Sequence, residues 1–564
     1  MYFKKISHYL LIICSALLSF AFILSNDQLF ELSKQLDIFT SLFKELNIYY
    51  VDEINDEKLT RKAINTMLEE LDPYSEFYPE NEITDYKMRY VSTEYGGIGA
   101  LIQTRNGNIV ISEPYEGFPA QKNDLRAGDI ILEVNGKSVK DFSADVVSEQ
   151  LRGKPGTKIK ILIQRKGEAK PIEKTIIRQE IKFGNIPYST LLNKDIGYIR
   201  LEKYLSNCYT EFKNTFQDLK KKGAKKLIID LRGNGGGILQ EAVQLVNMFV
   251  PKGELIVSQK GKLTEMNTRY IATSEPLDAQ IPIAVLVDTA TASASEITAG
   301  ALQDLDRAVI IGQRTFGKGL VQQTKPLAYN AQLKITVAKY YTPSGRCVQA
   351  INYSKKDAKG KAKTIPDSLI TEFKTKNGRS VYDGSGIAPD IKIDIPEYSA
   401  LLANLIAKEI IFDYATEYRN KHASIEPASS FKLSDLEYND FIAFVKKQSF
   451  DYQTACIEKF KELKKTFTDE NYFTNNKEEF ESIEKIITPN IEKDLLRFKP
   501  EIKEFLENEI VSRYYFQTGR LEHLLFNYDK ELNKAIEVLN NTNLYNDILQ
   551  GKGQYQLIGK PNSN

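Results

Sequence analysis

The feature that most restricts what this chain can fold into is an alternation between about residues 183 and 395. Short apolar, mostly β-branched runs recur there: Ile196 to Leu201, Leu227 to Leu231, Ile283 to Val287 and Val309 to Ile311. Helical patterns lie between them, Ile238 to Val250 included. Alternation of this kind indicates an α/β domain.

The flanks read differently. Residues 27–90 look helical: Leu29, Leu32, Leu36 and Phe39 keep helical spacing, as do Leu59, Ala63, Met67 and Leu71, until Asp72-Pro73 breaks the pattern. Residues 95–182 are β-patterned, with runs at Asn108 to Ser112, Ile130 to Val134 and Ile159 to Gln164. Asn135-Gly136 signals a hairpin, and Asp141 to Arg152 reads as a helix ended by Gly153-Lys-Pro-Gly156. From Ile391 to Thr518 no glycine occurs, so the tail reads as helices broken near Pro427, Pro489 and Pro500. No repeat of fixed length is visible.

A chain of 564 residues exceeds one compact core. The expected fold class is multidomain α/β and α+β, divided as 1–26, 27–92, 93–182, 183–395 and 396–564. The 76 basic residues balance 75 acidic ones, and no basic stripe gives a nucleic-acid footprint. Lys4 and Lys5 precede an apolar run from Tyr9 to Leu24, the pattern of an export signal or of an uncleaved inner-membrane anchor. Cys14 lies inside that run after Ile13, an unsuitable setting for lipid attachment. Cys208, Cys347 and Cys456 are scattered and form neither a zinc cluster nor a disulfide framework.

The chemistry is constrained by an absence. The only histidines are His8, His422 and His523, none in the α/β region. A Ser-His-Asp triad is therefore excluded there unless the tail reaches back. A nucleophilic serine would need lysine as its base. Asp288-Thr-Ala-Thr-Ala-Ser293-Ala-Ser-Glu296 follows an apolar strand and precedes a helix, leaving Ser293 near free backbone N–H groups. The same four residues, Ser293 to Glu296, equally fit a capping box. Lys318, in Thr315-Phe-Gly-Lys318-Gly319, follows the next strand. As a base it must be neutral, well below its usual pKa of about 10.4; as a Gly-flanked turn residue it would be solvated. Gly312 to Lys318 also has P-loop spacing, but Gly319 stands where Ser or Thr is needed, and a strand pattern follows. Asp230-Leu-Arg-Gly-Asn-Gly-Gly236-Gly237 is a third strand-to-helix loop, fit for an oxyanion hole or for a plain tight turn.

In this order, and with Leu71-Asp-Pro-Tyr-Ser-Glu-Phe77, Gly300-Ala-Leu-Gln-Asp304 and Val321-Gln-Gln323, the motifs resemble those of the C-terminal processing peptidases, or tail-specific proteases, over roughly residues 45–395. The resemblance implies a crotonase-like α/β protease core with a PDZ domain and helical N- and C-terminal regions. It implies Ser293 as nucleophile, Lys318 as general base and Gln322 as the residue orienting it. The oxyanion hole falls on the N–H of Ala294 with that of Gly236 or Gly237, and Asp304 has a supporting role. Gly97-Ile98-Gly99-Ala100 would receive a terminal carboxylate, favouring polypeptides with apolar C-termini, and Arg152 is a candidate for coupling the PDZ segment to the core, or a solvated arginine. No metal or organic cofactor is expected.

The sequence departs from the family pattern at Gly235, where many members carry proline, and in a lysine-rich stretch from Ile351 to Gly378 that reads as a surface insertion. Tail segments such as Tyr514-Tyr-Phe-x-x-Gly519 resemble those of some bacterial members; the tail would pack on the protease, dimerise or recruit an adaptor. The expected setting is the bacterial cell envelope, in the periplasm or on the periplasmic face of the inner membrane. The alternative is a catalytically inactive PDZ scaffold for protein C-termini; an acyl-CoA enzyme on a similar core would leave the PDZ segment unexplained.

Overall fold

A computed structural model describes residues 26–83, 86, 95–357, 360–448 and 450–552. The apolar N-terminal run, with Cys14, lies outside them. No helix among the described residues is long and apolar enough to cross a membrane. The chain divides into two compact units, one ending at Phe77 and the other beginning at Tyr78. The first holds α1 (Asn26–Tyr49) and α2 (Asp56–Glu69), the latter capped by Asn55, whose side chain accepts the Lys58 N–H.

The second unit opens with β1 (Tyr95–Gly97), β2 (Ala100–Arg105), β3 (Asn108–Pro114), β4 (Ile130–Val134), α3 (Ala144–Leu151), β5 (Lys158–Gln164), β6 (Ile172–Ile177) and β7 (Gln179–Ile181). The strands β2 to β6 pair in chain order as an antiparallel sheet, and β1 pairs with β7. Asn135 and Gly136 turn β4 into the short strand Lys137–Ser138, both at positive φ as such a turn needs. Alternate residues Ile159, Ile161 and Ile163 of β5 point into the core with Ile111, Ile131 and Val147.

The α/β layer comprises β8 (Tyr188–Leu192), β9 (Ile196–Arg200), α4 (Cys208–Lys221), β10 (Lys226–Asp230), α5 (Leu239–Asn247), β11 (Leu255–Gly261), β12 (Ile283–Val287), α6 (Ala294–Asp304), β13 (Val309–Gly312), β14 (Leu320–Pro326), β15 (Gln332–Tyr341) and β16 (Ile391–Lys392). The main sheet runs β8-β9-β10-β12-β13-β16, parallel throughout except for β8. Both faces are buried, which is why its strands lack polar alternation. Leu227, Ile229, Val285 and Ile310 face α4, α5 and α6. Ile228, Ala284, Leu286, Val309 and Ile311 face the opposite way.

The cover on that opposite face comes from the far end of the chain. The tail contains α7 (Ala400–Ala407), α8 (Ile410–Lys421), α9 (Asp435–Lys447), α10 (Lys499–Asn527), α11 (Lys530–Asn540) and α12 (Thr542–Leu549), with further helices between α9 and α10, Ala455–Asp469 among them. Helices α7 to α10 build their own core around Leu405, Tyr438, Phe441 and Leu506. Helices α11 and α12 leave it and lay Leu532, Ala535, Val538, Leu539, Tyr545 and Ile548 on the sheet. Each of the leucine, valine and isoleucine side chains among them contributes about 1.5–3 kcal/mol by leaving water. Between the two parts α10 is interrupted at Phe516 (φ 51°, ψ −148°), a break that no proline announces.

The tail also grips the β2–β6 module. Arg105 of β2 forks onto Asp413 of α8 at 2.6 and 2.5 Å and pairs with Glu409, while Arg520 reaches Glu113 at 2.7 Å.

Candidate active site

In a parallel sheet, ligand sites form beyond the carboxyl ends of the strands. Here β10, β12 and β13 are neighbours, so the loops leaving them converge. These are the glycine loop from Asp230 to Gly237, the turn carrying Ser293, and the segment from Gln313 to Gly319.

The first two loops are laced together. The Asp288 carboxylate accepts the N–H groups of Ala290 and Thr291 in its own turn, and that of Gly233 across the gap at 3.0 Å. Thr291 Oγ1 donates to Leu231 O at 2.9 Å. Asn234 is buried, donates to Leu201 O, and its carbonyl accepts Ala292 N–H and Ser295 Oγ–H, each at 3.0 Å. Ser295 is thereby committed to the scaffold, which leaves Ser293 as the serine facing the cavity.

The backbone of Ser293 separates it from an ordinary cap. Ser143, Ser399 and Ser434 cap α3, α7 and α9 from extended backbone, with φ of −76°, −65° and −69°, each side chain accepting a helix N–H. Ser293 stands at φ 56°, ψ −116°. A side chain in that region costs about 1–3 kcal/mol and persists only where the surroundings impose it. Glu296 Oε2 accepts Ser293 N–H at 2.9 Å, as in a capping box. Ala294 is the first residue of α6, so its N–H has no acceptor within the helix.

Gly236 packs directly under this turn. A Cβ there would lie 2.7 Å from both Ala292 O and Ala294 N. Its own N–H is given to Asn234 Oδ1 at 2.8 Å. Gly237 is bridged to Tyr204 through Tyr204 N–H on Gly236 O and Ile238 N–H on Tyr204 O, which turns the Gly237 N–H away from Tyr204.

The third segment is organised by Glu296, read from the sequence only as a capping partner. Its carboxylate is fully buried. Oε1 accepts Thr315 Oγ1–H at 2.5 Å and Gly317 N–H at 2.7 Å, and Oε2 accepts Lys318 N–H at 2.9 Å besides Ser293. Burial pushes its pKa up, against these hydrogen bonds, which pull it down. One carboxylate thus fixes the backbones that carry both Ser293 and Lys318. From the other side, Gln349 Oε1 accepts Gly319 N–H and Ala350 N–H donates to Gly317 O. A strand, β14, follows Lys318, so the helix a P-loop requires is absent there.

Ser293, Ala294, Gly236, Gly237, Lys318 and Gln322 all line one cavity of about 590 Å³. Gln322 Nε2 donates to Thr336 Oγ1 at 3.1 Å, which fixes the amide on the cavity wall. Asp304 lies elsewhere, buried at the C-terminal end of α6, paired with Arg346 at 2.7 Å and accepting Thr342 Oγ1–H.

The predicted peptide-binding segment occupies the β1–β2 connection. Ile98 O accepts Ala120 N–H at 2.7 Å and Gly99 O accepts Tyr115 N–H at 2.9 Å, so these carbonyls turn inward. Gly99 takes φ +71°. Ala100 opens β2, the edge strand of its sheet, with α3 alongside. Arg152, just past α3, lies over the Tyr95 ring at 5.5 Å.

Against known proteins, residues 195–357 match Peptidase family S41, residues 90–164 a PDZ domain, and residues 401–539 the helical domain described as "Probable PDZ-protease, C-terminal helical domain". A probable CtpA-like serine protease of Staphylococcus aureus (strain MRSA252) is 33% identical over 417 residues, 73% of this chain and 75% of the relative. A carboxy-terminal-processing protease of Bartonella bacilliformis is 38% identical over 322 residues, 56% of this chain and 73% of that one. Among solved structures, a photosystem II D1 C-terminal processing protease aligns at 27% identity with a TM-score of 0.35, covering 63% of this chain and 92% of the other. Fold, loops and matches together define a serine-type peptidase that carries a PDZ domain. The chain belongs to peptidase family S41, with the carboxy-terminal-processing proteases.

Proposed function

We propose that this peptidase cuts polypeptides near their C-termini with a Ser–Lys dyad. Ser293 Oγ attacks the scissile carbonyl while Lys318 Nζ takes its proton. Lys318 then protonates the leaving amine, and water cleaves the acyl-enzyme by the same route in reverse. Gln322, its amide fixed by Thr336, orients the lysine. The N–H groups of Ala294 and Gly237 hold the oxyanion; Gly236, whose N–H is already given to Asn234, serves as the spacer that lets the two loops touch. The observation that carries this reading is the convergence of these six residues on one cavity, with Ser293 held in a backbone conformation no cap requires. The non-catalytic scaffold offers no reason for that strain.

Substrate choice falls to the PDZ domain. A polypeptide end would add as a strand along β2, its carboxylate at Gly97, Ile98, Gly99 and Ala100, and its apolar side chains toward α3. Arg152, stacked on Tyr95 beside β1, is assigned the coupling role. The domain limits 27–92, 93–182, 183–395 and 396–564 are proposed as functional divisions, with α7 to α10 as the surface for an adaptor or a second copy. Substrates are exported or damaged proteins of the bacterial cell envelope, in the periplasm or at the inner membrane, on the strength of Lys4, Lys5 and the apolar run after them.

Ser293→Ala and Lys318→Ala are each expected to abolish cleavage of an apolar-ended peptide while leaving its binding and the fold unchanged. Undiminished cleavage by either variant refutes the dyad.

A further inference from the structure

The glycine loop cannot hold its own shape. Gly233, Gly235, Gly236 and Gly237 occupy four of the seven positions from Leu231 to Gly237, and glycine constrains the backbone least. Side-chain anchors must therefore help to fix the oxyanion donor. Asp288 and Asn234 are two of them, both from within the α/β layer. Thr291 and Tyr204 hold it as well, and a further anchor is Arg232. Its Nε and Nη2 bond Asp230 at 3.0 and 2.7 Å, and its Nη1 and Nη2 fork onto Asp529 at 2.9 and 2.6 Å.

We propose that Asp529, in the C-terminal tail, is a positioning residue for the oxyanion loop. The charges gathered around Arg232 call for it. Asp230 is fully buried and already accepts from Tyr198 Oη, from Arg200 at 2.9 Å and from the Arg232 main chain. Two guanidinium groups thus share that single carboxylate, and Asp529, itself almost buried, supplies the second negative charge. Glu531 also accepts from Nη1, but singly and at 3.4 Å, so the short forked contact is the one to Asp529. Asp529 is also immobile: it caps α11 through Leu532 N–H at 2.8 Å, and α11 is packed on the sheet. Without its charge, Arg232 is drawn wholly to Asp230, and the loop end it anchors shifts. The far end of the chain thereby sets the geometry of the oxyanion hole, a claim that rests on the assignment of Gly237 and Ala294 as its donors.

Asp529→Asn spares the helix, because asparagine caps as well as aspartate does, while removing the charge and the fork arm at Nη2. The expected result is a kcat lowered roughly 10- to 100-fold, with KM and the binding of an apolar-ended peptide unchanged. A fluorophosphonate should label Ser293 more slowly but to the same final extent. Glu531→Gln should leave kcat unchanged, and Asp529→Glu should restore part of it. A purely structural role would reduce the titratable serine and leave kcat per titrated site intact; that result, or a wild-type kcat, overturns the proposal. Asp529→Ser, a second neutral cap, carries the same criterion if asparagine does not fold, and failure of both to fold also overturns it. Ser293→Ala run in parallel separates the two readings: if it stays active the dyad falls, whereas if it is dead and Asp529→Asn is fully active, only the positioning role falls.

Discussion

Glu296→Gln tests the central piece of the site geometry. The substitution keeps the shape of the side chain and exchanges one acceptor oxygen for an NH2 group. With that group at the Oε2 position it confronts the N–H groups of Ser293 and Lys318, and two buried donors lose their acceptor. With the amide turned over, Gly317 N–H is stranded, and the Thr315 hydroxyl, which already accepts Ile387 N–H at 2.7 Å, must turn its own hydrogen elsewhere. The second arrangement is cheaper. One buried unsatisfied donor costs about 1–3 kcal/mol, so a destabilisation of that size is expected in urea unfolding. Activity should suffer more than stability, because the backbones of Ser293 and Lys318 lose a shared anchor; misplacement by about 1 Å costs roughly 100-fold in kcat. The pH dependence has a defined sign. Burial raises the Glu296 pKa, so its contribution to stability is complete below the ordinary carboxylate range and is lost as pH rises through the raised value. Glutamine does not titrate. The stability gap between wild type and variant should therefore narrow as pH rises. Equal stability together with an unchanged kcat would show that Glu296 is not the anchor argued for.

Three further outcomes are expected. Gly236→Ala would put a Cβ 2.7 Å from Ala292 O and Ala294 N at φ +94°, so kcat on a fluorogenic peptide should fall by roughly 100-fold or more; an active variant would mean the two loops are not in contact. Burial opposes ionisation of Asp230, but Arg232 and Arg200 hold its pKa well below the usual carboxylate range. It therefore contributes stability above about pH 4 that is lost on further acidification, and Asp230→Asn should flatten that acid limb in urea titrations between about pH 5 and 2. Removing the chain from Asp529 onward uncovers Ile228, Ala284, Leu286, Val309 and Ile311 and should yield an aggregating or unfolded protein; a soluble truncation with a cooperative unfolding transition contradicts the packing described.

The legible parts of the sequence were those encoded locally. The β-branched runs, the Asn135-Gly136 turn and the three strand-to-loop motifs each carry their signal within a few residues, and the parallel sheet then brings the motifs together without further instruction. The choice of Ser293 over Ser295 came from family resemblance. In the structure it has a physical basis, since Ser295 is bonded to Asn234 O and Ser293 is strained. Glu296 and Asp288 were visible but ambiguous, because the same residue types cap helices and make turns wherever they occur. Asp529 had no local signal at all: an aspartate before a helix reads as a cap, and it is one, while its second partner lies 297 positions away. The break at Phe516 was equally silent, with neither proline nor glycine at the position.

The position of the tail follows from the strands themselves. Runs such as Ile283 to Val287, apolar at every position, require cover on both faces of the sheet. The crossover helices α4, α5 and α6 all pack on one face, so the residues of even parity in β10 and β12, Ile228, Ala284 and Leu286, are left for some other element to bury. No segment between β9 and β13 remains to do it. An independent helix pair must therefore return, and α11 and α12 do so with Tyr545 placing its hydroxyl 3.0 Å from the Ile283 N–H at the start of β12. Cover of this kind cannot be an appendage, because the strands it completes are the ones whose ends present Asp230 and the Ser293 turn. The arrangement that closes the core is thus the same one that brings Asp529 to Arg232, and stability and active-site geometry share that pair of helices.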